Sequence, residues 1–424
     1  MATSHTLTKT GAALALIALT SLLISGCERQ EEVIHGPGVD LQNKVLYVGA
    51  LNDESGPAAA FGRPFALGNR ITVHQINTGQ SDLLPEGWRV RLVERDHGYN
   101  PQRAIDAFEE TRQRVLFYVS VFGTPNIQPL QPYLDEHGIV AFPTSSGSFL
   151  ADHRYTPPTG PSNRAEAARG LDWIVEREGG AENVTISLVY QQDDYGHDGR
   201  GGLIDAAEHY GIEIASSHGY NPAATSFSEI VEGLVAADAD YVFMASLPGA
   251  TGAIVAGTAA QGYMPTWVST APAWSGTFFE PGRIPNAETI FEEFYFVTGL
   301  PIWGEDEPFV REFMSAFEEY TRGRVPPDPY ILVAYIYAQV PYEAFSRALA
   351  AGDVTRGGYL RALQSIDDVD FDGALPEPLD LSRFPYITST QTRVMRPLPG
   401  DMTDPQFEEV AGYARPSSVD LAID

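Results

Sequence analysis

The chain has 424 residues and a formal net charge of −29, from 56 acids against 27 bases, with lysine only at positions 9 and 44. So acidic a protein repels the phosphate backbone of nucleic acids, and none is expected as a partner. Its single cysteine, Cys27, leaves no intrachain disulfide to form.

The first element is a leader. Residues 1–9 are short and polar, residues 11–24 form an apolar stretch shorter than the roughly 20 residues that span a bilayer, and Leu22-Leu23-Ile24-Ser25-Gly26-Cys27 closes it. That string resembles the lipobox of bacterial lipoproteins. The resemblance implies a signal peptide over residues 1–26, acyl chains on Cys27, and anchoring on the periplasmic or cell-surface side of a bacterial membrane. Residues 27–43, with Glu28, Arg29, Glu31, Glu32 and Pro37 and few large apolar groups, read as the lipidated cysteine and a tether.

From Lys44 onward, apolar β-rich runs alternate with segments of helical period. Strand 45–51 leads through the turn Asn52-Asp53-Glu54-Ser55-Gly56-Pro57 to helix 64–77; strand 89–94, helix 101–114, strand 115–121, helix 127–137 and strand 139–142 follow. Such alternation predicts a parallel, doubly wound sheet. Three prolines in Tyr155-Thr156-Pro157-Pro158-Thr159-Gly160-Pro161 stop the series and mark a crossing. A second series then runs from helix 162–178 through strands 184–190, 212–217, 241–245 and 266–269, with helices 199–210, 227–237 and 250–262 between them. A return strand at 294–298, helices 307–321 and 330–349 and a Pro-rich, strand-like tail complete the chain. Residues 28–424 exceed what one hydrophobic core serves, so the α/β chain is expected to form two lobes. They are read as 44–156 plus 298–366 and 162–296 plus 369–415, joined by three crossings.

Several strings, taken in order, resemble the type I periplasmic solute-binding proteins of the leucine/isoleucine/valine-binding family over nearly all of residues 44–400. They are Ser55-Gly56-Pro57 with Phe61-Gly62 after the first strand, Asp96 with Asn100-Pro101 before a helix, Tyr195-Gly196-His197-Asp198-Gly199 after the first strand of lobe two, and Thr225-Ser226-Phe227 at a helix start. The resemblance implies an ABC-importer receptor that captures a small carboxylate-bearing solute between its lobes and delivers it to permease subunits. A ligand sensor or regulatory lipoprotein on the same scaffold is the alternative.

Independently of the family, ligands of open parallel sheets sit beyond the carboxyl ends of the strands, where loops present unpaired N–H groups. In lobe one those places hold Phe122-Gly123-Thr124-Pro125-Asn126 and Pro143-Thr144-Ser145-Ser146-Gly147. Short hydroxyl residues beside Gly let backbone N–H groups approach a carboxylate. Gly123, Thr124, Thr144, Ser145 and Ser146 are therefore candidate ligand contacts, against the plainer reading that the hydroxyls cap helices. From lobe two, Tyr195 is expected to offer an aromatic face and a hydroxyl across the cleft, with Ser246 and Trp274 as further candidates. Family members that bind amino acids commonly carry an acid in the loop after the last strand of lobe two, to pair with the ligand ammonium. Residues 269–276 contain none before Glu280, so either another acid serves or the ligand is not an α-amino acid.

The nine histidines show no H-E-x-x-H spacing, and no G-x-S-x-G, P-loop or G-x-G-x-x-G motif occurs, so neither catalysis nor a cofactor is expected. Asp368-Val369-Asp370-Phe371-Asp372-Gly373 resembles the start of a calcium loop, but Leu379 stands where a bidentate Glu is required, and no metal site is expected.

Overall fold

The computed structural model describes residues 1, 33–370, 373, 375–386, 389–399 and 405–419. The signal peptide, Cys27 and the first residues of the tether lie outside the described residues, as do Phe371 and Asp372 of the calcium-like string.

The molecule has two α/β lobes. In the first, β1 (Ile34–His35), β2 (Val39–Asp40), β3 (Val45–Asn52), α1 (Ala59–Thr78), β4 (Arg89–Asp96), α2 (Pro101–Thr111), β5 (Tyr118–Phe122), α3 (Thr124–Ile127), α4 (Gln131–His137) and β6 (Ala141–Thr144) follow in order. Strands β4, β3, β5 and β6 pair side by side in parallel, and β2 lies antiparallel against the start of β3. Both faces of this sheet are covered, so β3 and β5 read as near-continuous apolar runs.

The chain then crosses. Lobe two contains α5 (Asn163–Glu178), β7 (Ile186–Gln191), α6 (Asp194–Tyr210), β8 (Ile214–Tyr220), α7 (Ser228–Ala237), β9 (Tyr241–Ala245), α8 (Pro248–Ala260), β10 (Thr266–Thr270), α9 (Ala287–Ile290) and β11 (Phe294–Thr298). After a second crossing, α10 (Pro308–Thr321), α11 (Pro329–Tyr337), α12 (Gln339–Ala350), β12 (Asp353–Val354) and α13 (Arg356–Leu363) return to the first lobe's core, where Phe313, Leu332, Tyr342 and Tyr359 pack with Leu46, Phe117 and Phe142. The hairpin β13 (Thr392–Leu398) and β14 (Gln406–Ala414) closes a seven-stranded sheet of order β14-β13-β11-β10-β9-β7-β8, parallel from β11 to β8 and antiparallel at the hairpin. The first two crossings lie against each other: a Cβ on Gly299 would overlap the Pro161 ring.

Helix α1 begins five residues before the expected Pro64, the helix expected over 127–137 is split into α3 and α4, and three further departures have clear causes. The segment read as tether is already part of the fold from Ile34, because β1 pairs with β12, β2 pairs with β3 and Val39 enters the core. Its low apolar content hid this, since two-residue strands carry no periodicity. The single helix expected over 330–349 is two helices meeting at Ala338; Pro341 has no N–H to donate to the Tyr337 carbonyl, so the α-helical ladder is interrupted there. Helix α6 begins five residues before the expected Gly199, with the Asp193 side chain accepting the Gly196 N–H at 3.1 Å.

The glycines at 196, 199, 201 and 202 lower helix propensity, but close backbone or core contacts leave no room for a side chain at 196, 199 and 202. A Cβ on Gly202 would overlap the backbone of Arg164 in α5, so the two helices can meet this closely only without a side chain there. We predict that Gly202→Ala destabilises the protein by about 1–3 kcal/mol in urea unfolding. An unchanged midpoint would mean that α5 and α6 move apart freely.

Candidate functional site

An inter-lobe cavity with an empty volume of about 930 Å³, its open mouth included, lies beyond the carboxyl ends of the strands. Phe61 and Phe65 come from α1, and Phe122, Gly123 and Thr124 from the end of β5 and the start of α3. The loop after β6 supplies Thr144, Ser145 and Ser146; the start of α5 supplies Asn163 and Glu166. Tyr195, Leu247, Ala271 and Trp274 line it from lobe two, and Tyr330, Val333 and Tyr337 from α11.

The aromatic wall is a packed unit. The Phe61 ring meets Phe65, Phe122 and Tyr330 edge-on at 5.0, 5.3 and 4.0 Å between centroids. Gly123 has φ +89°, and a Cβ there would stand 2.6 Å from the Tyr99 ring, so glycine is needed both for the turn and for that approach. Tyr330 belongs to lobe one but its hydroxyl donates to the Ala271 carbonyl and, at 3.0 Å, to the Trp274 carbonyl of lobe two. The Tyr99 hydroxyl likewise reaches Asp193 Oδ2 at 3.3 Å. These contacts hold the two walls face to face.

Of the eight residues singled out in the sequence, seven line the cavity. Thr124 and Ser145 share a hydrogen bond between hydroxyls at 2.6 Å, while the Thr144 hydroxyl is turned down to Ser120 at 2.7 Å, itself bonded to Asn52 Oδ1 at 2.8 Å. Neither the Ser145 nor the Ser146 N–H has an acceptor among the described residues. The Tyr195 hydroxyl corrects its expected role: it donates toward the Ser246 carbonyl at 2.9 Å and contacts the Thr270 hydroxyl at 2.8 Å, so only the ring faces the cavity. Ser246 does not line the cavity at all; it is fully buried, its hydroxyl bonded to Thr251 at 2.7 Å, and it acts as the seat for Tyr195.

Sequence reasoning missed the polar pair on α5. Glu166 is 4% exposed, and its Oε2 accepts the Ala271 N–H at 3.1 Å, so an acid does reach the loop after β10 that contains none. Burial pushes its carboxyl up to about 8, reinforced by Asp198 and only partly offset by the Ala271 N–H. Asn163 is 1% exposed, and both its side-chain oxygen and nitrogen are without hydrogen-bond partners. In the sequence both look like ordinary first-turn residues behind the Ser162 cap, which accepts the Ala165 N–H at 3.1 Å. The α11 residues were legible in principle, since Tyr330, Val333 and Tyr337 fall on one helical face. Among the described residues no Lys, Arg or His lines the cavity. Among the described residues no group of three or more His, Cys, Asp or Glu is placed to hold a metal ion, and no helix is long and apolar enough to cross a membrane.

A family model described as periplasmic binding protein matches residues 45–383, most of the chain. The chain belongs to that family. Its fold is similar to that of a fatty acid ABC transporter substrate-binding protein from Thermomonospora curvata (TM-score 0.82, 21% identity, 91% of this chain and 96% of that one). It is similar as well to a branched-chain amino acid ABC transporter protein from Thermus thermophilus with bound valine (TM-score 0.75, 18% identity, 89% and 98%). An R. palustris solute-binding protein in complex with 4-hydroxybenzoate shares the fold too (TM-score 0.73, 17% identity, 88% and 98%). No curated protein matches the chain. The type I periplasmic binding protein fold expected from the sequence is thus the fold observed.

The buried acid makes stability depend on pH in a defined direction. Because the folded carboxyl titrates above its unfolded value of about 4.5, it costs nothing below that pH, costs progressively more up to about 8, and a constant amount above. Glu166→Gln is therefore predicted to gain about 2 kcal/mol over wild type between pH 5 and pH 7 in chemical denaturation of the ligand-free protein. An advantage independent of pH would contradict burial of the acid.

Proposed function

We propose that the chain is the substrate-binding component of an ABC importer, anchored to the membrane by lipid on Cys27. It captures a small carboxylate-bearing solute with an apolar or aromatic body and delivers it to the permease. The observation that carries this reading is the cavity itself: hydroxyls and unpaired backbone N–H groups gather around Ser145 and Ser146, while the remaining wall is aromatic and aliphatic.

Thr124, Ser145 and Ser146 would receive the carboxylate, with the Tyr195 and Trp274 faces enclosing its apolar part. Thr144 supports them from below through Ser120. The structurally similar proteins include a fatty acid transporter's binding protein, one with bound valine and one in complex with 4-hydroxybenzoate, and each of those compounds bears a carboxylate, which supports the reading. Capture and release are hinge motions at the crossings near residues 157–161, 296–299 and 366–369, which divide the chain into the two lobes given above.

A thermal-shift screen of a soluble form lacking the leader and Cys27 tests this. An acid at a hundred times its Kd should add about 2.7 kcal/mol of stability, a rise of a few degrees, and Ser145→Ala with Ser146→Ala should abolish it. Stabilisation by uncharged solutes alone would remove the carboxylate from the reading. Intact mass of the protein extracted from membranes tests the anchor: acylation at Cys27 is expected, and an unmodified Cys27 would refute it.

A further inference from the structure

A carboxylate entering this cavity meets no cation, and the protein around it is strongly acidic. Hydroxyl and backbone donors on the lobe-one side face it, but the opposite polar wall is Asn163 and Glu166, one turn apart at the start of a 16-residue helix. Asn163 is tied directly to the hydroxyl loop, since its backbone N–H donates to the Ser146 carbonyl at 2.7 Å. The residue lines the cavity, and its nearly fully buried side-chain amide has no partner at either end among the described residues. Leaving such a group unsatisfied is costly, so a ligand group is the fitting partner. Glu166 has one protein partner, the Ala271 N–H on Oε2, and the cavity lies before the rest of its carboxyl.

We propose that Asn163 and Glu166 are specificity-determining residues that donate hydrogen bonds to the ligand carboxylate, Glu166 doing so as a neutral carboxylic acid. This rests on the functional reading above and states how a cavity without a cation holds an anion. The proton on Glu166 takes the place of a lysine or arginine. Burial supplies that proton, holding the carboxyl protonated at neutral pH up to about 8.

The groups that act on Glu166 are Asp198 and the phenols of Tyr195, Tyr330 and Tyr337, none of them cationic. The three arginines of its own helix are turned elsewhere, Arg164 to Asp205, Arg169 to Glu176 and Arg177 to Glu293. Ionisation of Glu166 would set two carboxylates side by side with no cation between them and weaken binding of the ligand. An ammonium-bearing ligand behaves in the opposite way, being held more tightly once Glu166 ionises.

The sign of the pH dependence therefore decides the matter. Isothermal titration of the soluble protein is carried out with straight-chain fatty acids of four to ten carbons, benzoate, 4-hydroxybenzoate and L-valine, at pH 6.5, 7.5 and 9. The expected result is binding of an acid without an amine that weakens about tenfold between pH 7.5 and 9, since those acids are fully ionised throughout. Glu166→Gln, which keeps a donor but cannot ionise, should lose that pH dependence while weakening binding at pH 7.5 by no more than about threefold; Glu166→Ala and Asn163→Ala should each weaken it tenfold or more. Asn163→Ala should leave the ligand-free protein no less stable in urea, which separates a binding role from a structural one. Affinity for an amine-free acid that is flat or rises toward pH 9, or binding of L-valine alone, overturns this inference while leaving the receptor reading standing. No binding by any of these probes overturns both.

Discussion

The start of α5 is the joint on which the site depends. Ser162 caps the helix through the Ala165 N–H at 3.1 Å, and the Ser146 carbonyl takes the Asn163 N–H at 2.7 Å, so the first turn of a lobe-two helix is fixed to the hydroxyl loop of lobe one. That fixing happens just after the proline-rich crossing, where the chain has little conformational freedom. From it follow the inward direction of Asn163 and Glu166, the hydrogen bond from Ala271 to Glu166, and the close approach of α6 that requires Gly202.

Around that joint the two walls differ in kind. One end of the cavity is a cluster of short hydroxyls, an amide and an acid; the rest is largely aromatic and aliphatic, its tyrosine hydroxyls mostly engaged with backbone or side-chain groups and the Trp274 indole N–H without a partner among the described residues. Such a division orients a molecule with one polar head and one apolar body. With no cation on either wall, the discrimination between anionic, zwitterionic and neutral heads falls to the protonation of one carboxyl.

Most of the fold was legible because the pattern is periodic: eight-residue apolar strands such as β3 and long helices such as α5 announce themselves by spacing and length. What was missed is what local pattern cannot carry. The two-residue strands β1 and β2 have no period, the glycines of α6 give no sign in the sequence of the Arg164 backbone that Gly202 must admit, and the break at Ala338 follows from a single proline. The candidate loops of lobe one were found because position at strand ends is inferable from topology. The direction of the Tyr195 hydroxyl and the inward turn of Glu166 were not, because both are decided by neighbours distant in the chain, Ser246, Thr270 and Ala271.

The most direct test of the account is a crystal structure of the protein with its tightest-binding acid at neutral pH. The account predicts the carboxylate within hydrogen-bonding distance of the Ser145 and Ser146 N–H groups on one side and of Asn163 and Glu166 on the other, with the apolar body against Phe61, Tyr195 and Trp274. A carboxylate turned toward the aromatic wall, or an amine resting on Glu166, would contradict it.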